Sequence, residues 1–150
     1  MDTRKRLRFF IWCTVVFIIM ASWLYVWKEK TEPASERAAF VVAKRQILNS
    51  ANTYRQNWLL NKQPSMMGVD GVDIQFTKQG WPVMLKNDRI DCAKWLSLLW
   101  PDENVFGKKY SVIDMRDDSK LTSCEYIFTG GVVLDLHLIN MAFGAEVNYP

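Results

Sequence analysis

Phe9 to Trp27, FFIWCTVVFIIMASWLYVW, runs without a single charged residue. As a helix it rises about 28 Å, close to the hydrocarbon thickness of a bilayer. Trp12, Trp23, Tyr25 and Trp27 sit toward its ends, where aromatic rings favour the headgroup region. The pattern predicts a transmembrane helix over 9–27, with Phe9, Trp12, Trp23 and Trp27 as anchoring residues. After Lys28 the pattern turns amphipathic. From about Ala34 to Asn61 there is no Gly or Pro, and Phe40, Ile47, Ala51, Tyr54 and Trp58 recur at steps of three and four. Val41, Leu48 and Leu59 lie beside that stripe. A long helix is expected, with one face in need of cover. Pro33 is expected either to kink it or to start it.

Pro64 to Gly71 reads as a turn-rich loop. The period then changes to two: Val72, Ile74 and Phe76 alternate with Asp73, Gln75 and Thr77, as in a half-buried strand. Trp81 to Leu85 reads as an extended segment at a sheet edge, because Pro82 has no N–H for a ladder. Asp91 to Trp100 predicts a short helix, capped by Asp91, stopped by Pro101 and turning Cys92, Trp95, Leu96 and Leu99 to one side. Strands follow at Lys109–Asp114, Leu121–Thr129 and Val132–Ile139, with a short last one at Phe143–Val147. Met115 to Lys120 reads as a polar loop, and Gly130-Gly131 as a hairpin turn. The fold class is α+β: an N-terminal transmembrane helix, then a long amphipathic helix on a mostly antiparallel sheet with a short inserted helix.

Charge adds topology. The arm MDTRKRLR holds four basic side chains and one acidic one, so the whole formal charge of +3 resides there. Basic residues before a span favour a cytoplasmic N-terminus. The expected organisation is a cytoplasmic arm over 1–8, a span over 9–27 and a domain over 28–150 outside the inner membrane, periplasmic in a Gram-negative cell. The end of the span, Trp23-Leu-Tyr-Val-Trp27, offers no small residues for signal peptidase, so an uncleaved anchor is expected. The domain is electrically balanced, which argues against nucleic-acid binding.

Three cysteines fit that placement. Cys13 serves in the span as a small apolar residue. An oxidising compartment lets Cys92 and Cys124 pair; the alternative is two buried thiols. Closing a loop of about 33 residues contributes roughly 3–4 kcal/mol on the chain-entropy account.

Candidate chemistry is sparse. His137 is the sole histidine and is expected on the polar face of a hairpin strand, in a solvent-facing or edge role and not a catalytic one. No GxSxG, HExxH, CxxC, P-loop or GxGxxG pattern occurs. Asp70 with Asp73, and Asp114 with Asp117 and Asp118, are acidic enough to suggest Ca²⁺, but their spacing is not that of an EF-hand. Turn-capping and solvated carboxylates is the plainer reading. No catalytic residue, metal ligand, cofactor or small-molecule substrate is expected. The candidate interface residues are Phe40, Ile47, Tyr54, Trp58, Trp81 and Trp100, if their apolar surface is not consumed by the core.

The layout of membrane helix, continuing amphipathic helix and cysteine-bearing sheet resembles type IV pilins and pseudopilins. Gly80-Trp81-Pro82-Val83 is similar to the Gly-aromatic-Pro motif of mannose-sensitive haemagglutinin (MSHA) pilin-like proteins. The segments Cys92-Ala-Lys-Trp95-Leu-Ser-Leu-Leu99 and Cys124-Glu-Tyr126-Ile-Phe128 resemble the two cysteine-centred segments of that group. The resemblance implies a pilin-like fold and a non-enzymatic role in MSHA-type pilus biogenesis, with pilins and other assembly proteins as partners. The chain departs from prepilins at two positions. Arg8, not a small residue, precedes Phe9, and Cys13 stands where the mature-chain Glu would be. That implies a protein left unprocessed by prepilin peptidase and retained in the membrane. Two other expectations are an unprocessed minor component of a type II secretion or competence system, and a membrane-tethered periplasmic sensor or enzyme. The last requires a concave pocket with converging polar groups.

Overall fold

The computed structural model describes residues 3–118 and 121–150. Two compact units are present, Met1–Ala38 and Ala39–Pro150. Helix α1, Thr3–Leu60, contributes to both and is helical through Pro33, so the proline does not end it.

In the first unit, Arg4–Lys28 is long and apolar enough to cross a membrane, and none of it is buried against protein. Phe9, Trp12, Trp23 and Trp27 are all exposed. Its two aliphatic hydroxyls bond back to their own helix: Thr14 Oγ1 donates to the Ile11 carbonyl and Ser22 Oγ to that of Ile18, both at 2.8 Å. This satisfies groups that would be costly to leave bare in hydrocarbon.

The second unit is an α+β lobe. The α1 residues Phe40, Ala43, Ile47, Ala51 and Trp58 are buried, and Tyr54 is half-buried, so the predicted stripe is the core face. Val41 and Leu59 flank it and are exposed. All strand pairs are antiparallel. A three-stranded sheet runs in the order β1 (Met66–Val69), β2 (Val72–Phe76), β3 (Pro82–Val83). A small hairpin joins β4 (Leu85–Lys86) to β5 (Arg89–Ile90). Helix α2 (Cys92–Leu99) follows, then β6 (Asn104–Val105), β7 (Lys108–Asp118), β8 (Leu121–Phe128), β9 (Val133–Ile139) and β10 (Ala142–Asn148). These last strands form one sheet in the order β10-β9-β8-β7-β6.

Three expectations need correction. Met66–Val69, placed in a loop, is strand β1, because Asp70 (φ 50°) and Gly71 (φ 79°) both take left-handed backbone and close a two-residue hairpin onto β2. Met115–Asp118, read as loop, continues β7 through pairings such as Met115↔Cys124 and Asp118↔Leu121; Ser119 and Lys120 lie outside the described residues. The segment Trp81–Leu85 is not one strand. Pro82–Val83 does sit at an edge, but Leu85 belongs to the separate hairpin turned by Asn87 (φ 53°) and Asp88 (φ 62°).

Helix α2 forms as predicted. Asp91 accepts a hydrogen bond from the Lys94 N–H at 3.2 Å, and Cys92, Trp95, Leu96 and Leu99 are buried. The core between helices and sheet is aromatic. Phe40 meets Phe128 edge-on at 5.1 Å between ring centres. Trp95 is fully buried and its indole N–H donates to the Pro82 carbonyl at 2.9 Å. Cys92 and Cys124 are disulfide-bonded, with Cα atoms 5.7 Å apart, and so tie the start of α2 to the middle of β8.

Candidate functional site

The Gly80-Trp81-Pro82 turn shows what its residues are for. Thr77 N–H bonds to the Trp81 carbonyl and Gly80 N–H to that of Thr77, both at 2.9 Å. Gly80 has φ 83°, and a Cβ there would overlap the Trp58 ring. Trp81 lies under the Arg55 guanidinium, 4.7 Å from its ring centre, while Arg55 Nε donates to the Gln79 carbonyl at 3.1 Å. Its other neighbour is Phe143, at 5.7 Å. Trp81 is thus half-buried and already engaged.

The remaining candidate interface residues are drawn inward too. Phe40 and Ile47 have no exposed surface, Trp58 and Trp100 are buried, and Tyr54 is half-buried. Trp58 donates through Nε1 to the Pro64 carbonyl at 2.9 Å. Trp100 caps α2 and packs near Phe128. The apolar surface that suggested docking is used to hold the lobe together.

Accessible features lie elsewhere. A groove of about 500 Å³ runs along α1 between Arg45, Asn49, Tyr54, Leu98 and Pro101. Burial, and then the Asp70 charge, raise the Tyr54 phenol above its ordinary pKa, so the groove wall presents a neutral hydroxyl.

The larger feature is the outer face of the five-stranded sheet, which carries polar side chains in register. Asp114, Glu125, Asp135 and Glu146 are directly paired across β7, β8, β9 and β10 and form an acidic row. Beside it lies the row Arg116, Ser123, His137 and Gly144. Two contacts join the rows: a diagonal one from Arg116 to Glu125 at 3.3 Å, and one along β9 from His137 Nδ1 to Asp135 Oδ2 at 3.1 Å. Gly144 makes room for the imidazole, since a Cβ there would collide with Nε2. His137 is on the polar face as expected, but its side chain is only 13% exposed, laid flat over β10 instead of projecting into solvent. Asp135 Oδ1 is buried and accepts no hydrogen bond.

Asp114, Asp117 and Asp118 occupy β7, not a loop, so they do not converge; Asp117 accepts from Thr122 Oγ1 at 3.0 Å. Among the described residues no group of His, Cys, Asp or Glu is placed to hold a metal ion. The acidic row escaped sequence reading because its members come together only through strand register. No family model matches this chain, and neither the curated proteins nor the solved structures contain a match.

Proposed function

We propose that this protein is an inner-membrane accessory of MSHA-type type IV pilus biogenesis. Its N-terminus is cytoplasmic and its pilin-like lobe periplasmic. It works through protein–protein contacts, with pilins and other assembly components as partners. The observation that carries the reading is a combination within one chain. The apolar helix lacks both the small residue before its first aromatic and the acidic residue that mark a processed pilin, yet it belongs to a chain with a disulfide-bearing α+β lobe. Such a chain stays anchored. Confinement to the membrane plane raises its effective concentration beside other membrane-bound components. The polar outer sheet face and the α1 groove are two accessible surfaces that such contacts could use.

Clean deletion of the gene tests this. The expected result is loss of surface pili with pilin retained in the cell, restored by the full chain supplied in trans. Normal piliation in the deletion strain overturns it.

A further inference from the structure

Strand β7 has an unpaired edge. Its neighbour β6 covers only Lys108 and Lys109, through Val105 and Asn104. Among the described residues no strand pairs with the outer side of the stretch from Tyr110 to Asp118. The stretch is accessible: Val112 is 51% and Ile113 37% exposed. The direction of its backbone groups follows from the ladder. Phe128 N–H bonds to the Val132 carbonyl, so the even-numbered residues of β8 turn their backbone groups toward β9 and the odd-numbered ones toward β7. On β7, residues 112, 114, 116 and 118 therefore bond to β8. Ile113, Met115 and Asp117 direct their N–H and C=O groups outward.

Edges of this kind are ordinarily guarded by charge and by bulges. Strand β7 has both, with a bulge between Tyr110 and Val112. The charges, however, are not of one sign. The order Asp114-Met115-Arg116 is complementary to itself when the strand is reversed. Antiparallel pairing of two β7 edges about Met115 puts Asp114 opposite Arg116 twice and keeps Ile113, Met115 and Asp117 in the hydrogen-bonded positions. Moving the two-fold centre by one residue preserves the backbone pattern but sets Asp114 against Asp114, or Arg116 against Arg116. Like charges directly opposite are unfavourable, so the register about Met115 is favoured over both of its neighbours.

We propose that this chain forms a two-fold dimer by joining its β7 edges about Met115, making one continuous sheet from two lobes. The occupant of the edge is a second copy of this chain. The inference goes beyond the pilus reading and does not depend on it.

Site-specific crosslinking in the full-length protein tests this, with Cys13 replaced by Ser and the chain reconstituted in phosphatidylethanolamine–phosphatidylglycerol vesicles at low protein density. In hydrogen-bonded antiparallel pairs facing Cα atoms lie about 5.5 Å apart, within disulfide reach. Met115→Cys is expected to give a disulfide-linked dimer under mild oxidation. Ile113→Cys alone is not, but it should crosslink when mixed with Asp117→Cys. Asp114→Arg or Arg116→Asp should each lower the Met115→Cys dimer yield about tenfold, and the two together should restore it. Retention of the Cys92–Cys124 bond, read by mass spectrometry, verifies that each variant has folded. Absence of the Met115→Cys dimer, equal yields at all three positions, or failure of the charge exchange to restore the yield overturns the proposal. So does a Met115→Cys crosslink in cells that reaches only a different protein.

Discussion

Gly80 is the most constrained glycine of the lobe. It combines left-handed backbone with direct apposition to the Trp58 ring. Gly80→Ala is expected to destabilise the lobe by about 2–4 kcal/mol, from steric overlap with a buried ring and an unfavourable φ together. Denaturant unfolding of the detergent-solubilised chain, followed by tryptophan fluorescence, measures this. Tyr126 makes a second residue-scale prediction. Its hydroxyl donates to the Cys92 carbonyl at 2.5 Å, and its ring is fully buried. Burial, followed by the neighbouring Tyr110 and acidic groups, pushes its pKa well above the ordinary value of about 10. The folded phenol keeps its proton where the unfolded one releases it. The stabilisation is therefore complete below about pH 10 and is lost as pH rises beyond it. Tyr126→Phe should cost about 1–2 kcal/mol at neutral pH, by leaving the Cys92 carbonyl without its donor, and should flatten the alkaline fall in stability. A pH series of unfolding curves on both proteins checks the slope.

At the scale of elements, the disulfide joins two segments that local signals alone defined well. Helix α2 was legible because a cap, an apolar face and a following proline agree. The α1 stripe was legible because it spans several turns, and β8 with β9 because alternation and Gly130-Gly131 agree. The other elements lacked such agreement. Strand β1, Met66-Met67-Gly68-Val69, has no alternation and sits between turn formers. The far end of β7 is polar on both faces because its outer edge meets solvent, so it looked like loop. The β4–β5 hairpin has two residues per strand, too few for any period to show. Replacing Cys92 and Cys124 together with Ala should lower stability by about 3–4 kcal/mol, measurable by the same unfolding assay, while leaving α2 helical by circular dichroism.

At the scale of the molecule, most of the candidate interface residues named from sequence lie in the core, while Tyr54 and Trp81 are half-buried. Aromatic stripes mark what must be covered, and in the lobe the chain's own helices and sheet cover them. The acidic row was illegible for the opposite reason. Asp114, Glu125, Asp135 and Glu146 occur once per strand, and only the pairing register shows that they adjoin. The apolar helix was the most legible part of all, since length and lack of charge suffice. It predicts that the full chain stays with the membrane fraction through high-salt and alkaline-carbonate washes and is released by detergent. Release by salt alone would mean peripheral attachment through charge.

The bond between Cys92 and Cys124 also imposes an order of events. One cysteine is 6% exposed and the other fully enclosed, beneath the aromatic core. A disulfide-exchange catalyst must form a mixed disulfide with one of the two sulfurs, which the other cysteine then resolves, and it has ready access only while that interior is still open. Donation of the bond therefore belongs to the maturing chain, before side-chain packing closes over it. Once packing is complete, mild reductants reach it only through the rare openings of the lobe. A late change in the redox state of the surroundings would leave finished molecules intact and halt only those still being made.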